Sequence, residues 1–168
     1  MARQLVNVLG VAIDSVTMQQ AVAIVDGFVR ARTMALVATA NAEMVMLAQQ
    51  DQELFSILNN AELTLADGAG VVWAARRLGS SVPERVAGYD LTQQLLQHAA
   101  KTGYKIFWLG AAPGVAEAAA AKAAEKYPGL ATVGVHDGLV DCGDGAMCRL
   151  FWGVQADIML WVRGVPKQ

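Results

Sequence analysis

Short apolar, β-branched runs alternate with helix-length amphipathic segments along nearly the whole sequence, and this alternation constrains the fold more than any other feature. Strands separated by helices of about 10–15 residues cannot close as hairpins, so they pair in parallel with helices covering the sheet. The expected fold class is therefore α/β: a Rossmann-like, mostly parallel sheet with helices on both faces. One exception opens the chain. Residues 6–13 (VNVLGVAI) are β-branched and interrupted by Gly10, the pattern of a short N-terminal β-hairpin. No repeat, linker or low-complexity tract divides residues 1–168, which read as a single domain.

Thr17 followed by Gln20 has capping-box spacing and opens a helix with an apolar stripe of Ala21, Val22, Ile24, Val25 and Phe28. Residues 34–39 (MALVAT) read as a buried strand. Asn41 is placed to cap the next helix and Asp51 the one after it, which runs towards residue 60. Strand 63–66 ends at Asp67 and Gly68, and helix 69–78 stops at Gly79. After a loop over 79–88, a helix over 90–101 leads to the buried strand 105–109 (KIFWL). Residues 110–114 (GAAPG) turn into an alanine-rich helix, with Pro113 near its first turn. Strand 132–135, a helix over 146–155 and strand 158–162 complete the pattern.

Composition removes several classes of function. The sequence is 55% hydrophobic and 17% charged, yet Gly, Asn and Gln break its apolar stretches before any reaches the roughly 18 residues of a membrane span. The opening MARQLVNVLG has no apolar core with a cleavage site, so no signal peptide is read. Net charge is −2 and Arg76–Arg77 is the only adjacent basic pair, which leaves no footprint for nucleic acid. Cys142 and Cys148 read as reduced thiols; with His136 they are one ligand short of a zinc site. Asp141 and Asp144 lack the later glutamate of a calcium loop and read as turn residues.

Ligands of parallel sheets bind beyond the carboxyl ends of the strands. The candidates are therefore Thr39 and Asn41, Asp67, residues 110–114, His136 and Asp137, and residues 164–168. Position alone leaves each open. Asp67 is a carboxylate after an apolar strand, with Gly68 and Gly70 leaving a substrate room to approach, and it is equally well placed to cap the next helix. Asn41 has the same second role. Arg85 lies in a loop bounded by glycine and proline, where a guanidinium can fork onto a diphosphate or simply be solvated. Gly110 and Gly114 precede a helix N-terminus, a setting for anions, but any such turn favours glycine.

Five segments in order carry a resemblance: TANAEMVMLAQQD (39–51), LTLADGAGVVWAARRLG (63–79), ERVAGYDL (84–91), IFWLGAAPGVAEAAAAKAAEKYPGL (106–130) and VPKQ (165–168). With VLGVAIDSVTMQQAV (8–22) they make the sequence resemble the TagA/WecG/CpsF family over nearly its whole length. The resemblance implies an inverting glycosyltransferase that moves an N-acetylmannosamine-type sugar from a UDP-sugar to a polyprenyl-diphosphate-linked N-acetylglucosamine. It implies work at the cytoplasmic face of the membrane, in wall teichoic acid, common antigen or capsule synthesis. Carried onto this sequence, it implies Asp67 as catalytic base, Thr39 beside the sugar, Arg85 at the diphosphate and Gln168 at the nucleotide-sugar. Asn41, Gly110 and Gly114 complete the substrate-binding set.

No Asp-x-Asp pair occurs in the sequence. Many sugar-nucleotide transferases hold a divalent ion with that pair, so its absence fits the metal-independent, cofactor-free chemistry that the resemblance implies. Two stretches depart from the family pattern. Arg163 stands where a small or apolar residue is usual, and residues 140–152 (VDCGDGAMCRLFW) are unlike the usual acidic, helix-forming segment. Family members also continue past the PKQ motif, so a C-terminal segment that covers the site and docks on the membrane is expected to be missing from this form. A closing strand with no helix after it is expected to make the chain self-associate into a homo-oligomer. The competing reading is a nucleotide-sugar-binding module without turnover.

Overall fold

Turn chemistry settles the first element. Leu9 and Gly10 both take positive φ, 52° and 85°, the pair of left-handed residues that a two-residue hairpin turn requires. The Gly10 N–H donates to Asn7 Oδ1 at 2.8 Å. Strands β1 (Leu5–Val8) and β2 (Val11–Asp14) therefore pair antiparallel, Leu5 opposite Asp14 and Val8 opposite Val11. The computed structural model describes residues 3–80, 82–110, 112–137 and 153–162 of the chain. These fall in two units, Met1–Leu91 and Thr92–Gln168.

In the first unit, helix α1 (Met18–Arg30) begins at the expected capping box, with Gln20 N–H on Thr17 Oγ1 and Thr17 N–H on Gln20 Oε1. Strand β3 (Val37–Ala40) is followed by α2 (Ala42–Leu47), α3 (Gln52–Asn60), strand β4 (Leu63–Ala66) and α4 (Ala69–Arg77). Asn41 caps α2 and Asp51 caps α3, as their positions predict. The two-helix crossover returns the chain so that β3 and β4 pair in parallel, Val37 with Leu63 and Ala40 with Ala66.

The strand expected over 34–39 starts three residues later. Met34 and Leu36 are 69% and 49% exposed, and β4 begins only at Leu63, whose N–H reaches Leu36 O at 3.3 Å. The Leu36 N–H turns instead to Glu62 Oε2 at 2.7 Å. The core of this unit joins Val8, Val11 and Ile13 of the hairpin to Ala40, Ala66, Val71 and Ala75.

One buried charge ties the hairpin to β4. Asp14, only 2% exposed, takes a fork from Arg3 (Nε 2.5 Å, Nη2 2.7 Å) and the Thr64 N–H at 2.7 Å. The bond to Asp14 holds the Arg3 guanidinium above its ordinary pKa. Thr64 is itself fully buried and donates its hydroxyl to Leu58 O at 2.8 Å. Both polar residues of this core are thus satisfied.

In the second unit, strand β5 (Lys105–Gly110) lies between β6 (Ala131–His136) and β7 (Ile158–Val162), and both pairings are parallel. Its sequence KIFWLG is buried from Ile106 onward, as a central strand covered on both faces must be. Helix α5 (Gly88–Thr102) enters this unit, and α6 (Val115–Lys126) connects β5 to β6. Ala116, Ala120 and Ala123 form the inner face of α6 against Ile106 and Trp108. The Trp108 Nε1–H donates to Thr132 Oγ1 at 3.2 Å. A Cβ on Gly134 would lie 2.6 Å from the Phe107 ring, so glycine is obligatory beside that buried aromatic.

The fold is α/β and Rossmann-like, with parallel ladders flanked by helices and an antiparallel hairpin at its start. Gln168, Arg163 and the expected stretch over 138–152 lie outside the described residues.

Replacing Asp14 with Ala is expected to destabilise the chain by about 3 kcal/mol, since it strands the buried Thr64 amide and takes the carboxylate from the Arg3 guanidinium. Arg3→Ala leaves the Asp14 carboxylate, 2% exposed, without its cation and should cost a comparable amount. Urea unfolding midpoints of the two variants measure both costs, and a change below about 1 kcal/mol for either would contradict this account of the clamp.

Candidate active site at the strand ends of the first unit

Because β3 and β4 run parallel and in register, their carboxyl ends finish level, and the residues after them are neighbours. The Asp67 N–H extends the ladder by one bond, donating to Ala40 O at 2.9 Å. Just beyond, Ala42 Cβ lies 3.1 Å from where a Cβ on Gly70 would stand. Thr39, Asn41 and Asp67, each half-buried, are thus brought to one edge by strand pairing.

Asn41 Oδ1 accepts the Met44 N–H at 2.8 Å, so its side-chain oxygen is committed to capping α2. Asp67 is not committed in the same way. The N-cap of α4 is Gly68, at φ 116°, and that helix start has no side-chain cap. The positive φ of Gly68 turns the chain so that the Asp67 carboxylate leaves its own helix. Asp67 Oδ2 instead accepts the N–H of Gly88, the first residue of α5, at 3.1 Å. Among the described residues no donor meets Asp67 Oδ1. One oxygen is anchored and the other takes no protein donor among the described residues.

The segment before α5 is drawn to the same edge. The Val86 N–H donates to Ala66 O at 2.9 Å, and Val86 and Ala87 are buried. Thr39 packs against Gly88: a Cβ there would stand 3.0 Å from Thr39 Oγ1 and 3.2 Å from its Cγ2. Sequence reasoning missed Gly88. Its signal was a glycine placed where α5 begins, though glycine is common at any helix start.

Arg85 points outward, 54% exposed, with Nη2 3.2 Å from Asp90 Oδ2. Such an exposed pair holds the guanidinium weakly, so an incoming anion can compete for it. Ala69, Val72, Trp73, Arg76, Glu84 and Arg85 line an open depression of about 410 Å³ beside α4. Trp73 is 67% exposed there, and the Glu84 carboxylate accepts the Met18 N–H. The depression thus gathers two guanidiniums, one carboxylate and an aromatic side chain.

Two predicted site residues belong to the second unit. Gly110 ends β5 at φ 112°, and Gly114 is the left-handed N-cap of α6, which has no side-chain cap. The first amides of α6 are thus without a capping side chain. Among the described residues no group of three or more acidic, cysteine or histidine side chains could hold a metal ion.

Comparison with known proteins adds a family to this geometry. The sequence matches the Glycosyl transferase WecG/TagA/CpsF family over residues 6–168. It is 32% identical over 165 residues to the N-acetylglucosaminyldiphosphoundecaprenol N-acetyl-beta-D-mannosaminyltransferase of Staphylococcus aureus strain NCTC 8325 / PS 47, covering 97% of this chain and 65% of that protein. The protein of the same name from strain COL matches to the same extent. The chain therefore spans about 65% of the length of these relatives. With a match that runs from the hairpin through the strand ends to the last residue, the chain belongs to the WecG/TagA/CpsF family of glycosyl transferases.

Proposed function

We propose that this chain transfers an N-acetylmannosamine-type sugar from a UDP-sugar to a polyprenyl-diphosphate-linked N-acetylglucosamine, with inversion at the anomeric carbon, in cell-surface polysaccharide synthesis. The observation that carries this reading is the Asp67 carboxylate, with one oxygen anchored to the Gly88 amide and the other open, in a member of this family. The acceptor class follows from the name of the Staphylococcus aureus relatives, and the UDP donor from the family resemblance.

In this mechanism Asp67 Oδ1 accepts the proton of an acceptor hydroxyl as its oxygen bonds to the donor's anomeric carbon. The bond from that carbon to the β-phosphate oxygen breaks on the opposite face, and UDP departs with the electron pair. Thr39 contacts the sugar. Arg85 exchanges Asp90 for the diphosphate and stabilises the charge that develops on it. Asn41, Gly110, Gly114 and Gln168 are assigned to substrate binding in the same proposal.

The protein works peripherally, at the inner face of the cell membrane. No helix among the described residues is long and apolar enough to cross a membrane, while the relatives' acceptor is carried on a lipid. In the same proposal it forms a homo-oligomer, with Trp161 on β7, 60% exposed, among the apolar side chains offered to a second copy. Sedimentation velocity should give a species larger than 17.8 kDa; a monomer at all concentrations would count against this.

Asp67→Asn is expected to keep the fold and to lower transfer by about 10²–10⁴, the usual contribution of a positioned base. Circular dichroism checks the first part and UDP release with the lipid-linked acceptor the second. Activity within a few-fold of wild type would remove Asp67 as the base.

UDP is expected to bind equally well with and without a chelator, because no Asp-x-Asp pair occurs and Arg85 is available to the phosphates. Calorimetric titration measures this. A tenfold loss of affinity on chelation, about 1.4 kcal/mol, would reveal a metal site.

A further inference from the structure

We infer that Gly88 is a positioning residue of the transfer reaction, setting the separation between the Thr39 hydroxyl and the Asp67 carboxylate. This rests on the function proposed above. Two independent contacts meet at this residue. Its N–H is the one protein donor on the Asp67 carboxylate among the described residues, at 3.1 Å. Its missing side chain is the space that Thr39 occupies, since a Cβ would lie 3.0 Å from Oγ1, 3.2 Å from Cγ2 and 3.4 Å from Cβ of Thr39.

Backbone conformation does not explain the glycine. The glycines of this chain that need a left-handed φ include Gly10, Gly68 and Gly114; Gly88 does not share it. A helix start accepts glycine without requiring it. Space is what remains, and the space is filled by a residue of the proposed site.

The contacts close a circle through three elements. Asp67 N–H holds the end of β3 through Ala40 O, Asp67 Oδ2 holds the start of α5 through Gly88, and Gly88 carries Thr39 of β3 against its Cα. The bond from Val86 to Ala66 O holds the loop two residues earlier. A methyl group at Gly88 then requires Thr39 to give by a few tenths of an ångström, away from the carboxylate's anchoring point. Catalytic geometry is sensitive to such shifts: a displacement of about 1 Å costs roughly 10² in rate, and a few tenths of an ångström correspondingly less, up to about tenfold.

The test is a double-mutant cycle in the full chain, with Gly88→Ala made in the wild type and in Thr39→Ala. The second background removes the two close atoms and leaves only the ordinary 3.4 Å contact. In the wild type, Gly88→Ala should lower kcat about tenfold while KM for donor and acceptor stays within twofold. In the Thr39→Ala background the same substitution should change kcat by less than twofold. A merely structural glycine would lower melting temperature and active fraction equally in both backgrounds, and that outcome overturns the inference, as does kcat within twofold of wild type for Gly88→Ala alone. A wild-type chain without transfer would instead sink the proposed function. The cycle then still decides, read as melting temperature: non-additive shifts support the shared space, and additive shifts refute it.

Discussion

Parallel pairing of β3 with β4 is the constraint on which the rest of the first unit depends. A parallel pair cannot be joined by a turn, so the chain must spend two helices, α2 and α3, in returning to the same end. That detour has a chemical result. Thr39 stands opposite Leu65 and Ala40 opposite Ala66, so both strands stop at one level and deliver a hydroxyl and a carboxylate to one edge. Neither residue is near the other in sequence; register alone makes them neighbours.

The hairpin supports this pair from the side through a buried ion. Asp14 is a residue that an apolar core should exclude, yet it sits at 2% exposure because Arg3 and the Thr64 amide together satisfy it. The Thr64 amide belongs to β4 itself, so the carboxylate fixes the strand that ends in Asp67. Stability and site geometry share one element here.

Much of this was legible in the sequence. Helix starts were readable because capping is local: Thr17, Asn41 and Asp51 each meet an amide within three residues. The strand end at Asp67 was readable because LTLA is an apolar run followed by Asp-Gly. The partner of Asp67 was not, since the Gly88 amide lies 21 residues further along and only the folded loop brings it there. For the same reason position alone could not separate a helix cap from a free carboxylate. The strand over 34–39 was misplaced because apolar composition marks a strand but not the rung at which its partner begins. Asp14 was passed over because its clamp is built from Arg3 and Thr64, neither adjacent to it.

The bond between Asp67 and Gly88 has a spectroscopic consequence. A backbone amide hydrogen-bonded to a carboxylate feels the charge on that carboxylate directly, so its proton resonance moves when the acid is protonated. Gly88 therefore reports on the Asp67 carboxylate that holds it, without a label and without turnover. Glycine amide nitrogens resonate apart from most others, which makes this signal easy to find. In a folded chain, its shift on adding a nucleotide-sugar shows whether the ligand reaches the carboxylate that accepts it.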